Sequence, residues 1–405
     1  TIIIGSGMAG LYSAYKLKKS HQKSFLILEK SSKNGIGGRA GNDTFYGANI
    51  VTGAGIGRSK KDKLLLKLMK DFNFPINKFT SIPHYAKSVD KIDINKKMKL
   101  LKRIYKKNKN LYKKATFKAF ASKILGKNEY KKFVVSSGYR DYEKEDIHET
   151  LYNYGMDDNA CCLQGFSVPW KKLVMKMYEY IGKKHFKFSS DVISIKRESN
   201  LYKLKISTGR HYMCNNIIVA TTIDTVRRLF PHNKIYKEIE GQPFIRLYAK
   251  FSQKSIPIVK EYIKGYTVVE GVLQKIIPMD PNKGVYMIVY NDNKNSIALK
   301  KHLKNTETNR KFYVKLLEKS LGIPKGLISI QAIKDYYWKI GTHYYKPLNE
   351  SLYKNRGHFI EKAQHPADGI MVVGELLSEN QGWVEGALES VENAMERKKI
   401  DFKKI

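Results

Sequence analysis

The chain has 405 residues, of which 42% are hydrophobic, and this predicts about two or three domains with a sizeable core. Lysine and arginine total 75 against 37 acidic residues, and the formal net charge of +38 at pH 7 favours anionic over cationic partners. The chain has three cysteines and no C-x-x-C pair, which argues against a disulfide scaffold and a metal site and favours a cytoplasmic or other reducing compartment. It has no apolar run of about 18 residues and no visible signal peptide, so no transmembrane segment is expected.

The first 30 residues predict a dinucleotide-binding βαβ unit. The apolar residues 1–4 run into a G-x-G-x-x-G motif, a helical pattern follows, and a second apolar run ends at Glu29. Gly5 permits a sharp turn, Gly7 lets backbone N–H groups approach a pyrophosphate, and Gly10 lets the helix pack close to the sheet. The helix N-terminus attracts phosphate, and Glu29 can accept hydrogen bonds from ribose hydroxyls. The predicted cofactor contacts are Gly5, Gly7, Met8, Ala9, Gly10, Glu29 and Lys30.

Two further glycine loops follow this unit. The first ends in Gly37-Gly38-Arg39, a sequence that a nicotinamide enzyme does not need but that suits the longer FAD molecule. Arg39 could pair with a phosphate or cap the flavin, and the alternative is a solvated turn. A short strand is expected over Phe45–Ile50. The glycines between residues 53 and 58 would then let the backbone pass close to a flat ring.

A strongly basic helical region is predicted after the amphipathic helix Lys63–Phe72. Between residues 87 and 132, lysines crowd among apolar residues at helical spacing. The functional interpretation is a polyanion-binding surface, and the alternatives are a solvated face or charge from an AT-rich coding bias. No recognisable RNA- or DNA-binding motif occurs, so any nucleic-acid contact would be to the backbone.

The middle of the chain predicts a return to the first sheet and then a second domain. A helix is expected over Trp170–Ile181, followed by strands Asp191–Arg197, Leu201–Ser207 and Tyr212–Ala220. An antiparallel sheet and two helices are expected next. The predicted strands are Phe244–Phe251, Tyr266–Val269, Leu273–Ile277, Val285–Tyr290 and Ile328–Trp338, and the helices are Ser296–Leu303 and Asn309–Leu321.

The C-terminal segment predicts another strand and helix at the cofactor. A strand over Gly369–Glu375 ends in Gly374-Glu375, and a helix over Glu385–Arg397 begins after Gly382 and Trp383. A helix N-terminus directed at a flavin would stabilise negative charge on the reduced ring.

Together these segments resemble the flavin-containing amine oxidase superfamily, which includes monoamine, polyamine and L-amino-acid oxidases. The resemblance covers the cofactor domain well and the substrate domain poorly. The matching segments are Gly5 to Gly10, Glu29, Gly37-Gly38-Arg39, Asp191 to Ile195, Gly374-Glu375 and Gly382 to Ala387.

The resemblance implies an α/β fold class in two parts. One is a discontinuous, Rossmann-like, three-layer FAD-binding domain built from residues 1–80, 165–240 and 350–405. The other is an α+β substrate domain with an antiparallel sheet, built from residues 81–164 and 241–349. The basic helical region would be inserted in its first part.

The resemblance also implies roles for residues far along the chain. Val192 would contact the adenine side through its backbone, and Glu375 the ribityl and phosphate region. Trp383 would form one wall of an aromatic cage at the flavin, and either His343 or Tyr344 the other, although simple core packing is the alternative for Trp383. The remaining implied FAD contacts are Gly374, Val384 and Ala387. Thr342 stands where covalent members carry cysteine, so FAD should be bound non-covalently.

One residue departs from the family pattern. The family usually carries a lysine that bonds through water to flavin N5, and Arg246 aligns best with that position. Arginine does not deprotonate, and its planar fork prefers carboxylate or phosphate. Arg246 could therefore hold the water as a permanent cation or bind an acidic substrate. The alternative is an ordinary exposed arginine.

The predicted function is that of an FAD-dependent oxidoreductase with a small amine or amino acid as substrate. Hydride would pass from a C–H bond next to nitrogen to flavin N5, and O2 would reoxidise the flavin to give H2O2. The net charge ranks polycationic amines below amino acids, neutral amines and acidic compounds. The alternatives are a desaturase or isomerase of the same fold, or a basic FAD protein that mainly binds nucleic acid or another polyanion. The sequence does not indicate an oligomeric state.

Overall fold

A computed structural model describes residues 1–397 apart from residues 23, 157 and 159–161. The strands within these residues are β1 Ile2–Ile4, β2 Leu26–Leu28, β3 Asn42–Phe45, β4 Ala48–Val51, β5 Gly57–Arg58, β6 Lys78–Ser81, β7 His84–Tyr85, β8 Leu163–Phe166, β9 Phe186–Lys187, β10 Val192–Glu198, β11 Leu201–Ile206, β12 His211–Cys214, β13 Ile217–Val219, β14 Ile239–Phe251, β15 Thr267–Val268, β16 Lys275–Asp280, β17 Val285–Asp292, β18 Ile330–Tyr345 and β19 Ile370–Val372. The α-helices are α1 Met8–Lys19, α2 Lys63–Asp71, α3 Ile94–Lys107, α4 Lys109–Tyr112, α5 Phe117–Leu125, α6 Lys127–Ser137, α7 Trp170–Ile181, α8 Ile223–Leu229, α9 Ile256–Tyr262, α10 Asn293–Leu299, α11 Glu307–Leu321, α12 Arg356–Gln364 and α13 Val384–Arg397.

A parallel five-stranded sheet forms the centre of the predicted cofactor domain. Its order is β19-β13-β1-β2-β9, and each neighbouring pair is parallel. Helices α1, α7 and α13 cover one face, and the antiparallel sheet β10-β11-β12 with α8 and α12 covers the other. Both faces of β1 are therefore buried, which explains why its sequence is three isoleucines. The predicted Rossmann-like, three-layer arrangement is confirmed.

A second sheet lies between the first and last parts of the cofactor domain along the chain. Its order is β18-β14-β17-β16-β15-β7, and only the β15–β7 pair is parallel. Helices α9 and α11 and the end of α10 bury Val259, Tyr313, Leu317 and Leu299 against it. The predicted antiparallel sheet is confirmed. The division of the chain into two domains at the stated boundaries stays a prediction.

The basic region is helical, as the spacing of its apolar residues predicted. Helices α3, α5 and α6 share a small core of their own that includes Leu101, Phe117, Phe120 and Phe133. The apolar face of α3 is turned into this core, so most of its lysines lie at the surface. A helix with this pattern gains its stability mainly from the packing of the apolar face.

Several predicted strands are wrong in extent: those over Phe244–Phe251, Leu273–Ile277 and Gly369–Glu375 are Ile239–Phe251, Lys275–Asp280 and Ile370–Val372, and three others have a clear physical reason. The segment 45–50 is part of a hairpin, β3–β4, because Tyr46 and Gly47 adopt positive φ and reverse the chain. The segment 212–220 is two strands in different sheets, because the chain turns at Asn215 and Asn216. The strand predicted to end at Trp338 continues to Tyr345, since it pairs with the whole of β14.

The cysteines follow the prediction only in part. Cys214 is buried and free, whereas Cys162 is disulfide-bonded, although the sequence argued against a disulfide scaffold. Cys161 lies outside the described residues. The predicted compartment stays a prediction. In the part of the chain that the structure describes, no helix is long and apolar enough to cross a bilayer, and no cluster of three or more potential ligands could hold a metal ion.

Candidate active site

The first glycine motif joins β1 to α1, and its three glycines meet different surroundings. Gly5 has φ of 100°, and a Cβ atom there would lie 2.5 Å from the Ala220 carbonyl oxygen. A Cβ at Gly10 would lie 2.0 Å from the Gly5 carbonyl oxygen, whereas one at Gly7 would meet no heavy atom within 4 Å. Gly5 and Gly10 are therefore required by backbone packing. The space beside Gly7 is open.

The open space lies at the N-terminus of α1, where an anion would be stabilised. No side chain caps this terminus, so the first-turn N–H groups, including those of Met8 and Ala9, have no side-chain acceptor. Helix N-termini of this kind attract phosphate through these groups and through the helix dipole. The arrangement fits the pyrophosphate of a dinucleotide.

Glu29 is buried at the end of β2 and is fixed by two loops. Its Oε2 accepts hydrogen bonds from the Ser6 N–H and the Ser6 hydroxyl, each at 2.8 Å, and its Oε1 accepts one from the Ser31 N–H at 2.9 Å. The carboxylate is thus held in one orientation without a ligand, and Oε1, which accepts one hydrogen bond, keeps a lone pair for a ribose hydroxyl. Lys30 points to the surface. The contribution of Ser6 was missed, although it stands inside the glycine motif.

The second glycine loop lies directly against the first. The Gly37 N–H donates to the Ser6 carbonyl oxygen at 2.9 Å, and Gly7 and Gly37 form a parallel bridge. Gly37 and Gly38 have φ of 88° and 58°, which favours glycine at both. The Gly37 Cβ position is filled by Ala40 and Val174, whereas a Cβ at Gly38 would be 3.5 Å from the Gly7 Cα atom.

Arg39 at the end of this loop binds protein groups. Its Nη1 donates to the Gly341 carbonyl oxygen at 2.7 Å and to Glu375 Oε1 at 2.8 Å. The Gly382 N–H also donates to Glu375, to Oε2 at 3.1 Å. Burial alone would raise the pKa of Glu375, but His343 and Arg39 outweigh it and hold this pKa below its ordinary value. Arg39 and Glu375 therefore form a charged link between the second loop, β18 and the C-terminal segment.

His343 supports this link from the other side. Its Nε2 accepts a hydrogen bond from the Ile223 N–H at 3.1 Å, so its proton is on Nδ1, which donates to Glu375 Oε1 at 2.5 Å. His343 is 2% exposed, and both ring nitrogens are used within the protein. Tyr344 is also buried, and burial, followed by the charge of Glu240, raises the pKa of its hydroxyl to about 12. Which of the two forms an aromatic wall stays a prediction.

Trp383 is half-buried, and a buried arginine contacts its ring. The guanidinium carbon of Arg58 lies 4.1 Å from the Trp383 ring centroid, and Arg58 Nε donates to Asp62 Oδ1 at 2.8 Å. Val384 and Ala387 lie in the first turn of α13, where Ala387 is packed into the cofactor-domain core. Arg58 was not predicted as a site residue. The only feature of the sequence that could have indicated its ion pair is Asp62, four positions later.

Val192 opens β10 as predicted, but its carbonyl oxygen is already in use. It accepts a hydrogen bond from Arg228 Nη2 at 3.0 Å, and the side chain is buried. The Ser190 N–H two residues earlier donates to the Glu29 carbonyl oxygen at 2.8 Å. The structure therefore brings Val192 near the Glu29 end of the cradle. The backbone contact of Val192 with adenine stays a prediction.

Arg246 is buried in the middle of β14, which contradicts the alternative that it is an ordinary exposed arginine. It is 7% exposed, its guanidinium carbon lies 4.1 Å from the Tyr290 ring centroid, and its Nη1 is 3.7 Å from the Met287 sulfur. A Cβ atom at Gly55, in the third glycine loop, would lie 3.3 Å from its Nη2. No carboxylate of the described residues forms an ion pair with it, so Arg246 is a buried cation next to a glycine loop.

A second buried cation, Lys275, was missed. It is fully buried at the start of β16, and its Nζ lies 2.8 Å from the Tyr139 ring centroid and 4.0 Å from that of Tyr290. Within the described chain this Nζ has no hydrogen-bond partner, and burial lowers the pKa of Lys275 well below its ordinary range. The available signal was a lysine within the apolar segment 273–277, at a position that alternation turns inward.

Two buried carboxylates accompany Lys275. Asp292 accepts from the Arg140 N–H at 3.0 Å, and burial, followed by the charge of Asp141, raises its pKa to about 7. Burial also raises the pKa of Asp141, whose Oδ1 accepts from the Tyr154 hydroxyl at 2.5 Å. Two carboxyl groups close together in a buried site resist full ionisation. Tyr290 contacts both Arg246 and Lys275, so this polar cluster adjoins the buried arginine.

Comparisons with known proteins agree with this architecture. A family model described as "NAD(P)-binding Rossmann-like domain" matches residues 3–72, whereas no curated protein matches the chain. Two solved structures of putrescine oxidase match with a TM-score of 0.76 and 14% sequence identity, over 98% of this chain and 98% of theirs. One is a double mutant from a redesign of cofactor binding, and the other is the wild type bound to putrescine. The chain therefore shares the fold of putrescine oxidase over nearly its whole length, and the predicted resemblance is confirmed for the fold.

Proposed function

We propose that this protein is an FAD-dependent oxidoreductase of the amine oxidase type. The observation that carries the proposal is the open space at Gly7, at an uncapped helix N-terminus, with the Glu29 carboxylate fixed nearby. The link from Arg39 to Glu375 extends this cradle toward β18, along a path that suits FAD better than a shorter nicotinamide dinucleotide. The fold shared with putrescine oxidase supports the same reading.

When bound, FAD would supply the hydride acceptor at N5, and its reoxidation by O2 would release H2O2. Glu29 would hold the adenosine ribose, the backbone around Gly7 the pyrophosphate, and Glu375 the ribityl region. Thr342 offers no thiol for a covalent bond, so the cofactor would be released by denaturation. Trp383 would keep its orientation because Arg58 contacts its ring.

The substrate would be an amine or amino acid with a C–H bond next to nitrogen. Arg246 is a buried cation without an ion-pair partner among the described residues, and this favours a substrate carboxylate or a neutral amine over an alkylammonium. The net charge of +38 also disfavours the approach of cationic substrates at longer range. Polyamines therefore rank below amino acids, although one of the structural relatives binds putrescine.

Two measurements test the proposal. The absorbance spectrum of the purified protein should show bound flavin, which acid precipitation should release into the supernatant. A panel of amino acids, monoamines and polyamines should then give H2O2 on aerobic turnover, with at least one amino acid oxidised faster than spermine. A protein without flavin would contradict the cofactor assignment, and faster turnover of spermine than of any amino acid would contradict the substrate ranking.

A desaturase or isomerase is the second candidate, and Arg246 in place of the usual lysine favours it. An isomerase would form product with no net oxidation, and a desaturase that passes its two electrons to an acceptor other than O2, such as a quinone, would form product without H2O2. Comparing product formed with H2O2 released in one reaction therefore separates the two functions. The predicted polyanion contact of the basic region is independent of both.

A further inference from the structure

The basic helical region has a charge pattern that the composition of the chain does not explain. Residues 94–128 contain thirteen lysines and arginines and no aspartate or glutamate. At the overall ratio of 75 basic to 37 acidic residues, thirteen cations would be accompanied by about six acids. A general bias in coding would raise the number of lysines but would not remove every acid from one segment.

Few of these charges are neutralised within the protein. Among the described residues only Lys97, Lys113 and Lys118 of this set form ion pairs, with Glu129, Glu350 and Glu143 respectively. The apolar face of α3 is buried in the core of the region, so its lysines lie on the opposite, exposed side. The result is a cationic surface on α3 and α4.

Two exposed leucines lie at the end of this surface. Leu111 in α4 is 70% exposed and Leu352 is 61% exposed, the highest values among the large apolar side chains of the described residues. The ion pair between Lys113 and Glu350, with Nζ and Oε2 3.6 Å apart, places α4 beside the segment that carries Leu352. Both segments line one groove of about 450 Å³ through residues that include Lys109, Lys354 and Glu350.

We propose that α4 and residues 349–354 form a docking site for an anionic phospholipid bilayer. Leu111 and Leu352 would enter the boundary between headgroups and acyl chains, and the surrounding lysines would contact the headgroup phosphates and carboxylates. Nucleic acid offers phosphates but no aliphatic phase for the leucines, so the combination favours a bilayer. This inference does not depend on the proposed enzymatic function.

The experiment measures binding of the full protein to large vesicles by co-sedimentation. Vesicles with about 30% phosphatidylserine should retain the protein at low salt, and vesicles of pure phosphatidylcholine should not. The double variant Leu111→Ser, Leu352→Ser should weaken retention by about tenfold or more, because it removes the two isobutyl groups that the bilayer would bury. Lys109→Glu should weaken it by at least about fivefold and should make binding less sensitive to salt.

Matched variants control for changes in bulk hydrophobicity and charge. Ile297→Ser removes a side chain that is 60% exposed on α10, and Lys325→Glu reverses an exposed charge elsewhere. The retention of both control variants by the vesicles should be closer to that of the wild type than the retention of the leucine double variant and of Lys109→Glu is. Retention that falls equally in Ile297→Ser and in the leucine double variant would overturn the proposal. The proposal would also be overturned if the vesicles did not retain the protein at low salt. It would be overturned as well if the protein bound a 30-mer RNA more tightly than the vesicles and the leucine substitutions did not change the affinity for RNA.

Discussion

Replacing Gly7 by alanine tests the cofactor cradle without disturbing the fold. Gly7 has φ of −70°, which alanine adopts without strain, and the added Cβ would meet no heavy atom of the protein within 4 Å. The apoprotein should therefore unfold with a free energy within about 1 kcal/mol of the wild type, because alanine restricts the unfolded chain but is a weaker N-cap residue than glycine.

The effect on FAD should be large by comparison. The new methyl group would occupy the space in which a phosphate approaches the first-turn N–H groups of α1, and overpacking of this kind costs about 1–3 kcal/mol. The Kd for FAD should rise by about 5- to 150-fold. Titration of stripped apoprotein with FAD, followed by quenching of flavin fluorescence, measures this change directly.

The matched control is Gly10→Ala in the same helix. Its Cβ would lie 2.0 Å from the Gly5 carbonyl oxygen, which belongs to the backbone and has little room to move. We expect the unfolding free energy of this variant to fall by about 3 kcal/mol or more. A Gly7→Ala protein that binds FAD with the wild-type Kd would refute the assignment of the pyrophosphate, and a fully stable Gly10→Ala protein would refute the packing argument.

Three further predictions concern the buried charges. Arg246→Met should raise KM for the amino-acid substrates about 10- to 100-fold and leave KM for neutral amines little changed. Arg246→Lys should partly restore the KM for amino acids. An equal rise in KM for both substrate classes in steady-state assays would contradict a carboxylate contact. Asp292 has a raised pKa in the folded state, so its contribution to the unfolding free energy is present below about pH 4 and is lost as pH rises through about 7, with a slope of at most about 1.4 kcal/mol per pH unit. The lowered pKa of Lys275 has the opposite effect on the unfolding free energy, which increases toward alkaline pH. The contribution of Asp292 is therefore measured as the difference in unfolding free energy between the wild type and Asp292→Asn, from denaturant unfolding at pH 4 to 8. Equal pH dependence of the two unfolding free energies would disprove the assignment. Arg58→Met should lower the unfolding free energy by about 3–5 kcal/mol because Asp62 stays buried without its partner, and adding Asp62→Asn should recover most of this loss in a double-mutant cycle.

The cofactor cradle could be predicted from the sequence because its chemistry is local. Gly5, Gly7 and Gly10 lie within six residues where β1 joins α1, and backbone atoms fill the Cβ positions of Gly5 and Gly10. The strand–helix–strand pattern also fixed the parallel order near Glu29. Local spacing of this kind is readable without knowledge of tertiary contacts.

The partners of the charged groups could not be predicted in the same way. Arg39 binds Glu375, which is 336 residues away, and nothing in the sequence around either residue indicates this pair. Lys275 lay in an ordinary predicted strand and Asp292 just beyond the end of another, because alternation shows which side of a sheet a residue faces but not what covers that side. Lys275 is covered by Tyr139 and Tyr290, which come from different parts of the chain.

The strand order of the parallel sheet also determines when the cofactor site can form during synthesis. The sheet places β13 between β1 and β19, so its edge strand is made from residues 370–372, and Arg39 receives its carboxylate partner only from Glu375. At about 5–20 residues per second, roughly 20 to 75 s separate translation of the first strand from that of the last. Loading of the proposed FAD cofactor would therefore follow translation of residue 375, and until then the apolar edge of β13 needs protection from other nascent chains.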